Sequence, residues 1–285
     1  MLAKNYAFLN LFIIFYWLKS QYLNIHYGFK VQMKKEKFHY EYKRYVDKMV
    51  NWQEKGKKIY LGDYVSFVKK IVKPSSKVLD IGCGAGLSSY MLSKDYDVTG
   101  ADLSKPVLAY ARKHFKNVEF KNEDARKLSF KDNSFDAVAC CGFIEHIKEV
   151  NKVLNEMLRV TKKNGHIIIV SPSWFSPLRA IRGLINPRGY ETIGRNRFQI
   201  TKWFFISLYY SIQKLIAPKY IFRNPNIQDG DLVGNDIDMV YIANQYDLKK
   251  FFKKNGCRVL KTTADTFAFS SLPILNPWFG VVAKK

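Results

Sequence analysis

The residues with the clearest chemical capacity lie between positions 77 and 102 of this 285-residue chain. Lys77-Val-Leu-Asp-Ile-Gly-Cys-Gly-Ala-Gly86 is an apolar run that ends in three glycines at alternate positions. Such a run reads as a strand entering a tight loop. Gly82, Gly84 and Gly86 remove every Cβ from the bend, so backbone can lie against a ligand while the following helix aims its free N–H groups at it. A nucleotide-like cofactor is the natural occupant. Glycine-rich loops also occur in plain structural turns, so the loop gains weight from a second acid, Asp102, which closes the apolar run Asp97-Val-Thr-Gly-Ala-Asp102. A carboxylate about 20 residues past such a loop is the Rossmann arrangement for holding ribose hydroxyls.

The elements that must position these groups follow from the hydrophobic pattern. Helical spacing runs through Phe38, Tyr42, Tyr45 and Met49, and again through Tyr64, Phe67, Val68, Ile71 and Val72, with Pro74 as a stop. After the loop, Leu87–Ser93 reads as a helix, 97–102 as the second strand, and a helix with Pro106 in its first turn and Ser104 as cap reaches Phe115. Val118–Phe120 and Phe135–Cys140 read as strands, Val150–Val160 as a helix and Gly165–Ser171 as a fifth, fully apolar strand. This alternation implies a parallel sheet covered on both faces, with ligands at the carboxyl ends of its strands. From Ser173 to Asp236 the alternation stops, which marks an insertion; a helix from Tyr246 to Lys254 and strand-like runs Cys257–Thr263 and Trp278–Ala283 follow.

The loop is G-x-G-x-G with Asp80 two residues before its first glycine, whereas dinucleotide enzymes favour G-x-G-x-x-G. Val78–Gly86 resembles motif I of class I methyltransferases that use S-adenosyl-L-methionine, and the resemblance covers about residues 75–172, with a weaker match from 245 onward. It implies an α/β, Rossmann-like, doubly wound sheet of seven strands, mostly parallel with an antiparallel last strand, plus N-terminal helices and an insertion before the last two strands. The segment 36–73 would then be a lid over the cofactor; plain packing against the sheet is the other reading. In Asn122-Glu-Asp-Ala125 the resemblance gives Asp124 and the Ala125 N–H the adenine edge, which offers a donor beside an acceptor. Phe135–Ile147 looks like motif IV, with Cys141 and Gly142 at the methionine part and Phe143 as a wall for the reacting methyl. The implied cofactor set is thus Asp80, Gly82, Cys83, Gly84, Gly86, Asp102, Leu103, Asp124, Ala125, Cys141 and Gly142.

His146 is the candidate catalytic residue, a group whose ordinary pKa lies near neutrality, set against the reading that a Glu-His pair merely braces the following helix. Methyl transfer needs position and a dry pocket first, and a base only where the acceptor is a hydroxyl. A metal-dependent subgroup of the family reads Glu-x-x-Glu-His here. Gly142 replaces the first Glu, and the only later histidine, His166, opens an apolar strand, so no metal is expected.

Composition bounds the partners. The net charge is +23, from 47 basic and 24 acidic residues, which suits nucleic acid, anionic lipid or a phosphorylated substrate. The excess is mostly lysine, 36 Lys against 11 Arg, as drift toward AT-rich codons would also produce. Six of the 11 arginines, Arg179, Arg182, Arg188, Arg195, Arg197 and Arg223, nevertheless fall in the insertion 173–236, where guanidinium suits phosphate or carboxylate. The run 202–217 is a helix whose only polar stripe is Ser207, Ser211 and Lys214; so wide an apolar surface requires burial in the domain, a bilayer interface or a lipid pocket. An insertion of this kind suits an acceptor site for a small or lipid-like molecule with an anionic head. An RNA methyltransferase is the second reading, with no appended RNA-binding module to support it, and a non-catalytic cofactor-binding module the third.

Cys83, Cys140, Cys141 and Cys257 show no metal spacing and read as reduced thiols. The aromatic apolar run 6–18 is shorter than the roughly 20 residues a span needs. Residues 1–32 are therefore either a membrane-surface anchor or lie upstream of a translation start at Met33, ahead of a methyltransferase domain 33–285. The expected location is the cytoplasm, with peripheral contact at the inner face of the membrane. Sequence sets no oligomeric state.

Overall fold

The chain divides into two units, Met1–Glu36 and Lys37–Lys285. The computed structural model describes residues 43–56, 60–173, 176–177, 181, 197–222, 240–262 and 278–285, all in the second unit. The apolar run 6–18, the helical positions Phe38 and Tyr42, and five of the six insertion arginines lie outside the described residues.

Seven strands form one sheet in the order β3-β2-β1-β4-β5-β7-β6. They are β1 (Lys77–Ile81), β2 (Asp97–Asp102), β3 (Glu119–Asn122), β4 (Phe135–Cys141), β5 (Thr161–Pro172), β6 (Arg258–Thr262) and β7 (Trp278–Lys284). Pairings among β1 to β5 are parallel, as the alternation of elements predicts, and β7 runs antiparallel to both neighbours, as the family resemblance implies. The register places Asp80 beside Gly100 and Ala139, and Asp102 beside Asn122, so the loop, Asp102 and the end of β4 meet at one edge. The central strands are apolar because both faces are covered. Val138, Ile167, Ile169 and Val281 pack on one side with Leu154, Met157 and Phe252. Val78, Ala139, Ile168 and Val282 pack on the other with Tyr64, Val68 and Leu108.

Seven helices follow in chain order among the described residues: α1 (Lys43–Gly56), α2 (Gly62–Lys69), α3 (Leu87–Leu92), α4 (Lys105–His114), α5 (Val150–Val160), α6 (Arg197–Ile216) and α7 (Gln245–Lys254). Ser104 caps α4, its hydroxyl accepting from the Val107 N–H, and Asn244 caps α7 by accepting from Tyr246. Strand β5 is longer than its apolar stretch predicts, because Thr161 already pairs with Phe135 across an irregularity before the regular ladder begins at His166.

Helix α6 turns only part of its apolar surface inward, with Trp203, Phe204, Ile206 and Tyr210 packed on Ile200 and Ile242. Its polar stripe is the buried one: Ser207, Ser211 and Lys214 lie inward with Ile200. Phe198, Phe205, Tyr209, Ile212, Leu215 and Ile216 are exposed. The inward turn is fixed by an ion pair. The Lys214 ammonium donates to an Asp247 carboxylate oxygen and, at 2.6 Å, to the Ile242 carbonyl, while the Tyr241 hydroxyl donates to the same carboxylate at 2.9 Å. Both charged side chains are fully buried. Burial pushes Asp247 up and Lys214 down, and their mutual attraction opposes both shifts.

Candidate functional site at the carboxyl ends of β1, β2 and β4

Strand β1 ends at a loop whose three glycines all adopt positive φ: 70° at Gly82, 54° at Gly84 and 89° at Gly86. An L-residue there would be strained, and at Gly82 it would also collide, since a Cβ would lie 2.3 Å from Phe143 Cδ2. Backbone from β1 and the ring after β4 thus approach as closely as glycine permits.

Asp102 closes this arrangement. One carboxylate oxygen accepts the Gly84 N–H at 3.0 Å and the other the Ser104 N–H at 2.8 Å. The acid at the end of β2 therefore fixes both the glycine loop and the start of α4. Burial pushes its pKa up, and the N–H groups of Ser104, Gly84 and Leu103 pull the other way. Each carboxylate oxygen has two lone pairs, so acceptor capacity remains for vicinal hydroxyls. That acceptor capacity fits the hydroxyls of the S-adenosylmethionine ribose. Leu103 beside it is exposed.

Asp80 is placed differently from the other members of the sequence-derived set. Its carboxylate is 1% exposed and turned inward, accepting from Tyr64 Oη at 3.0 Å and from Ser88 and Ser89 Oγ at 2.7 Å each. It ties the end of β1 to the first turn of α3 and to α2. Burial raises its pKa, and the three hydroxyl donors oppose that shift. Cys83 is buried next to it, with its thiol pKa raised well above the usual range by burial. A free thiolate is therefore disfavoured in the loop.

Helix α1 contributes residues that the sequence pattern did not single out. Buried Gln53 donates to the Cys83 carbonyl at 3.0 Å and accepts from the Leu87 N–H at 3.3 Å, spanning the glycine loop. Met49 and Gln53 lie where a Cβ on Gly84 would sit, and Trp52 lies above Gly142. A lone polar residue on the inner face of a helix was the available signal for Gln53; Met49 was placed only on a helical face, and no local signal marks Trp52.

At the end of β4, Cys141 is buried and Gly142 takes φ 63°, its N–H donating to the Val170 carbonyl. A short 3-10 turn over Ile144–His146 follows. Glu145 is 1% exposed; its carboxylate accepts from Ser171 Oγ at 3.0 Å, and its carbonyl accepts the N–H groups of Val240 and Tyr241. His146 Nε2 lies 3.9 Å from Glu145 Oε1, near enough for charge to be felt and too far for a hydrogen bond. The buried acid thus anchors the turn that carries the half-buried histidine.

Asp124 and Ala125 follow β3, as the sequence places them. Asp124 is gripped by Arg126, whose guanidinium reaches both carboxylate oxygens at 2.7–3.1 Å and continues to Glu149 at 3.1 Å. That pairing holds Asp124 below the usual carboxylate range. Its first hydrogen-bond partner is therefore Arg126, a residue outside the sequence-derived set. Among the described residues no three His, Cys, Asp or Glu side chains converge as a metal site would require.

Residues 79–169 match the family model described as "Methyltransferase domain". The chain is 37% identical over 101 residues to a phosphatidylethanolamine N-methyltransferase of Cereibacter sphaeroides, covering 33% of this chain and 50% of that protein. It is 36% identical over 111 residues to a demethylmenaquinone methyltransferase of Renibacterium salmoninarum, covering 38% of this chain and 47% of that one. The chain thus spans about half the length of these curated relatives. Among solved structures, a TehB-like SAM-dependent methyltransferase from Corynebacterium glutamicum superposes with a TM-score of 0.52 at 16% identity, over 85% of this chain and 96% of that one. At that identity the likeness is one of fold.

Proposed function

We propose that residues 79–169, which match the methyltransferase domain model, form a class I S-adenosylmethionine-dependent methyltransferase domain, and that the chain methylates a small or lipid-like acceptor with an anionic head. The observation that carries the proposal is Asp102, which bonds the glycine loop and the α4 start from one carboxylate and keeps acceptor capacity beside them. Bound there, S-adenosylmethionine supplies an electrophilic methyl group on a sulfonium. The chain's own residues hold and orient. Asp102 accepts the ribose hydroxyls, the positive-φ glycine loop admits the ligand to backbone contact, and Cys141 and Gly142 lie at the methionine end. Asp124 and Ala125 face the adenine edge in this reading, with Arg126 as a neighbour that must share the carboxylate. Phe143, set against Gly82, narrows the space in which an acceptor meets the methyl carbon and excludes water from it.

In the same reading, α1 and α2 cover the cofactor, with Gln53 as the latch on the glycine loop. His146 takes the proton where the acceptor is a hydroxyl. The insertion that includes α6 forms the acceptor side. Support for a lipid-like acceptor comes from the relatives, one named for phosphatidylethanolamine and another for demethylmenaquinone.

Three measurements test this reading. Calorimetry is expected to show S-adenosylmethionine binding that Asp102→Ala weakens; a wild-type chain that binds none would overturn the cofactor assignment. Labelled methyl groups are then expected to enter the lipid fraction of extracts from the source cells. Incorporation confined to RNA would move the acceptor to the nucleic-acid class. His146→Ala is expected to lower turnover at saturating cofactor and leave cofactor affinity intact. The opposite pattern would make the histidine structural.

A further inference from the structure

The exposed side of α6 carries a long apolar stripe, although the helix has polar residues available. At 100° per residue, Phe198, Phe205, Tyr209, Ile212 and Ile216 fall within a stripe of about 60° that runs roughly 27 Å along the helix. The two ends of the stripe are the most open, with Phe198 77% and Ile216 78% exposed. Ser207, Ser211 and Lys214 occupy the opposite side and are buried. The inner side is apolar as well, with Trp203, Phe204, Ile206 and Tyr210 packed on Ile200 and Ile242, so the helix already covers the domain and still leaves this stripe exposed. The Lys214–Asp247 pair and the Lys214–Ile242 carbonyl bond fix this rotation of the helix.

Charge identifies what covers that face. From Arg197 to Phe222 there is no Asp or Glu, while Arg197, Lys202 and Lys219 lie on the helix or just past it. The whole chain carries +23. A second copy would bring the same charge to the same surface and be repelled. RNA would meet aliphatic and aromatic side chains where it needs cations. An anionic bilayer supplies both an apolar layer for the stripe and negative head groups for its basic flanks. No described helix is long and apolar enough to cross a membrane, so contact through this helix is at the surface.

We propose that the outer face of α6 docks on an anionic lipid bilayer, with Phe198, Phe205, Tyr209, Ile212 and Ile216 entering the head-group region. The docking rests on α6 alone and stands apart from the methyl-transfer reading. It places the membrane next to the site all the same. On its α6 side segment 240–244 accepts from Lys214 at the Ile242 carbonyl and donates the Ile242 N–H to the Ile221 carbonyl, and on its β4 side it donates to the Glu145 carbonyl.

The test is flotation of the full chain with vesicles of phosphatidylcholine plus phosphatidylglycerol, against phosphatidylcholine alone. The comparison variant is Phe205→Ser/Ile212→Ser/Ile216→Ser, whose three sites are all exposed, so folding is untouched. Expected is binding to the anionic vesicles that weakens with salt, and a partition coefficient about a hundredfold lower in the variant, with melting temperature and S-adenosylmethionine affinity unchanged. Absence of wild-type flotation overturns the proposal. So does undiminished flotation of the variant, which would assign binding to another segment, the run 6–18 first. Self-association that the variant abolishes, without vesicle binding, would make the face a contact between copies. Cofactor affinity read in parallel separates failure of docking from failure of the cofactor assignment.

Discussion

Removing Lys214 alone should destabilise the protein more than removing its whole polar cluster. In Lys214→Met the Asp247 carboxylate stays fully buried and loses its cation, keeping the Tyr241 hydroxyl at 2.9 Å among its donors. Breaking one side of a buried pair costs about 3–5 kcal/mol, because the remaining charge is neither solvated nor matched. For a domain of this size that corresponds to a fall in melting temperature of roughly 10 °C. The triple variant Lys214→Met/Asp247→Leu/Tyr241→Phe removes the charges and the orphaned hydroxyl together, and is expected within about 1 kcal/mol of wild type. The single variant should also respond to pH. Burial already raises Asp247, and loss of the ammonium raises it further, so the folded state binds this proton more tightly than the unfolded chain. The deficit is then largest above the raised pKa and shrinks as pH falls toward the ordinary carboxylate range. Urea titrations at neutral and mildly acidic pH, followed by circular dichroism and tryptophan fluorescence, read both effects. A single variant within about 1 kcal/mol of wild type, or a triple variant worse than the single, would refute the reasoning that this pair sets the orientation of α6.

Two further perturbations probe the site itself. In the proposed cofactor site the charged form of Asp102 accepts the ribose hydroxyls, and burial raises that acid, so S-adenosylmethionine affinity should be full above the raised pKa. It should fall on acidification sooner than an ordinary aspartate would dictate, and in Asp102→Asn it should be weak and nearly flat with pH; titration calorimetry across the acidic range checks this. Gly82→Ala combines a positive-φ penalty of about 1–2 kcal/mol with a collision against Phe143, so it should lower both stability and cofactor affinity. Adding Phe143→Ala should recover only the steric part, as thermal melts of the two variants would reveal.

Much of the fold is legible in the sequence because parallel sheets buried on both faces write themselves as continuous apolar runs. Strand β2 and helix α5 fall at their expected bounds, and Ser104 caps α4 as read. The glycine loop is equally local: alternate glycines permit positive φ wherever the rest of the chain goes. Asp102 was legible too, since a fixed spacing from the loop carries it to the end of the neighbouring strand.

Other facts depend on distance in space. The sequence places Asp80 beside the first glycine, and only packing turns its carboxylate onto Tyr64, Ser88 and Ser89. Gln53 reaches the Cys83 carbonyl from 30 residues away, and no local pattern announces a side chain whose partners are backbone atoms in another element. Helix α6 shows the division most clearly. Its periodicity fixed which residues share a stripe and left open whether the apolar surface faces the domain, a bilayer or a lipid pocket. Only the tertiary structure brings the Asp247 carboxylate, 33 residues on, to Lys214, so that Ser207, Ser211 and Lys214 turn inward while Phe198, Phe205, Tyr209, Ile212 and Ile216 stay exposed.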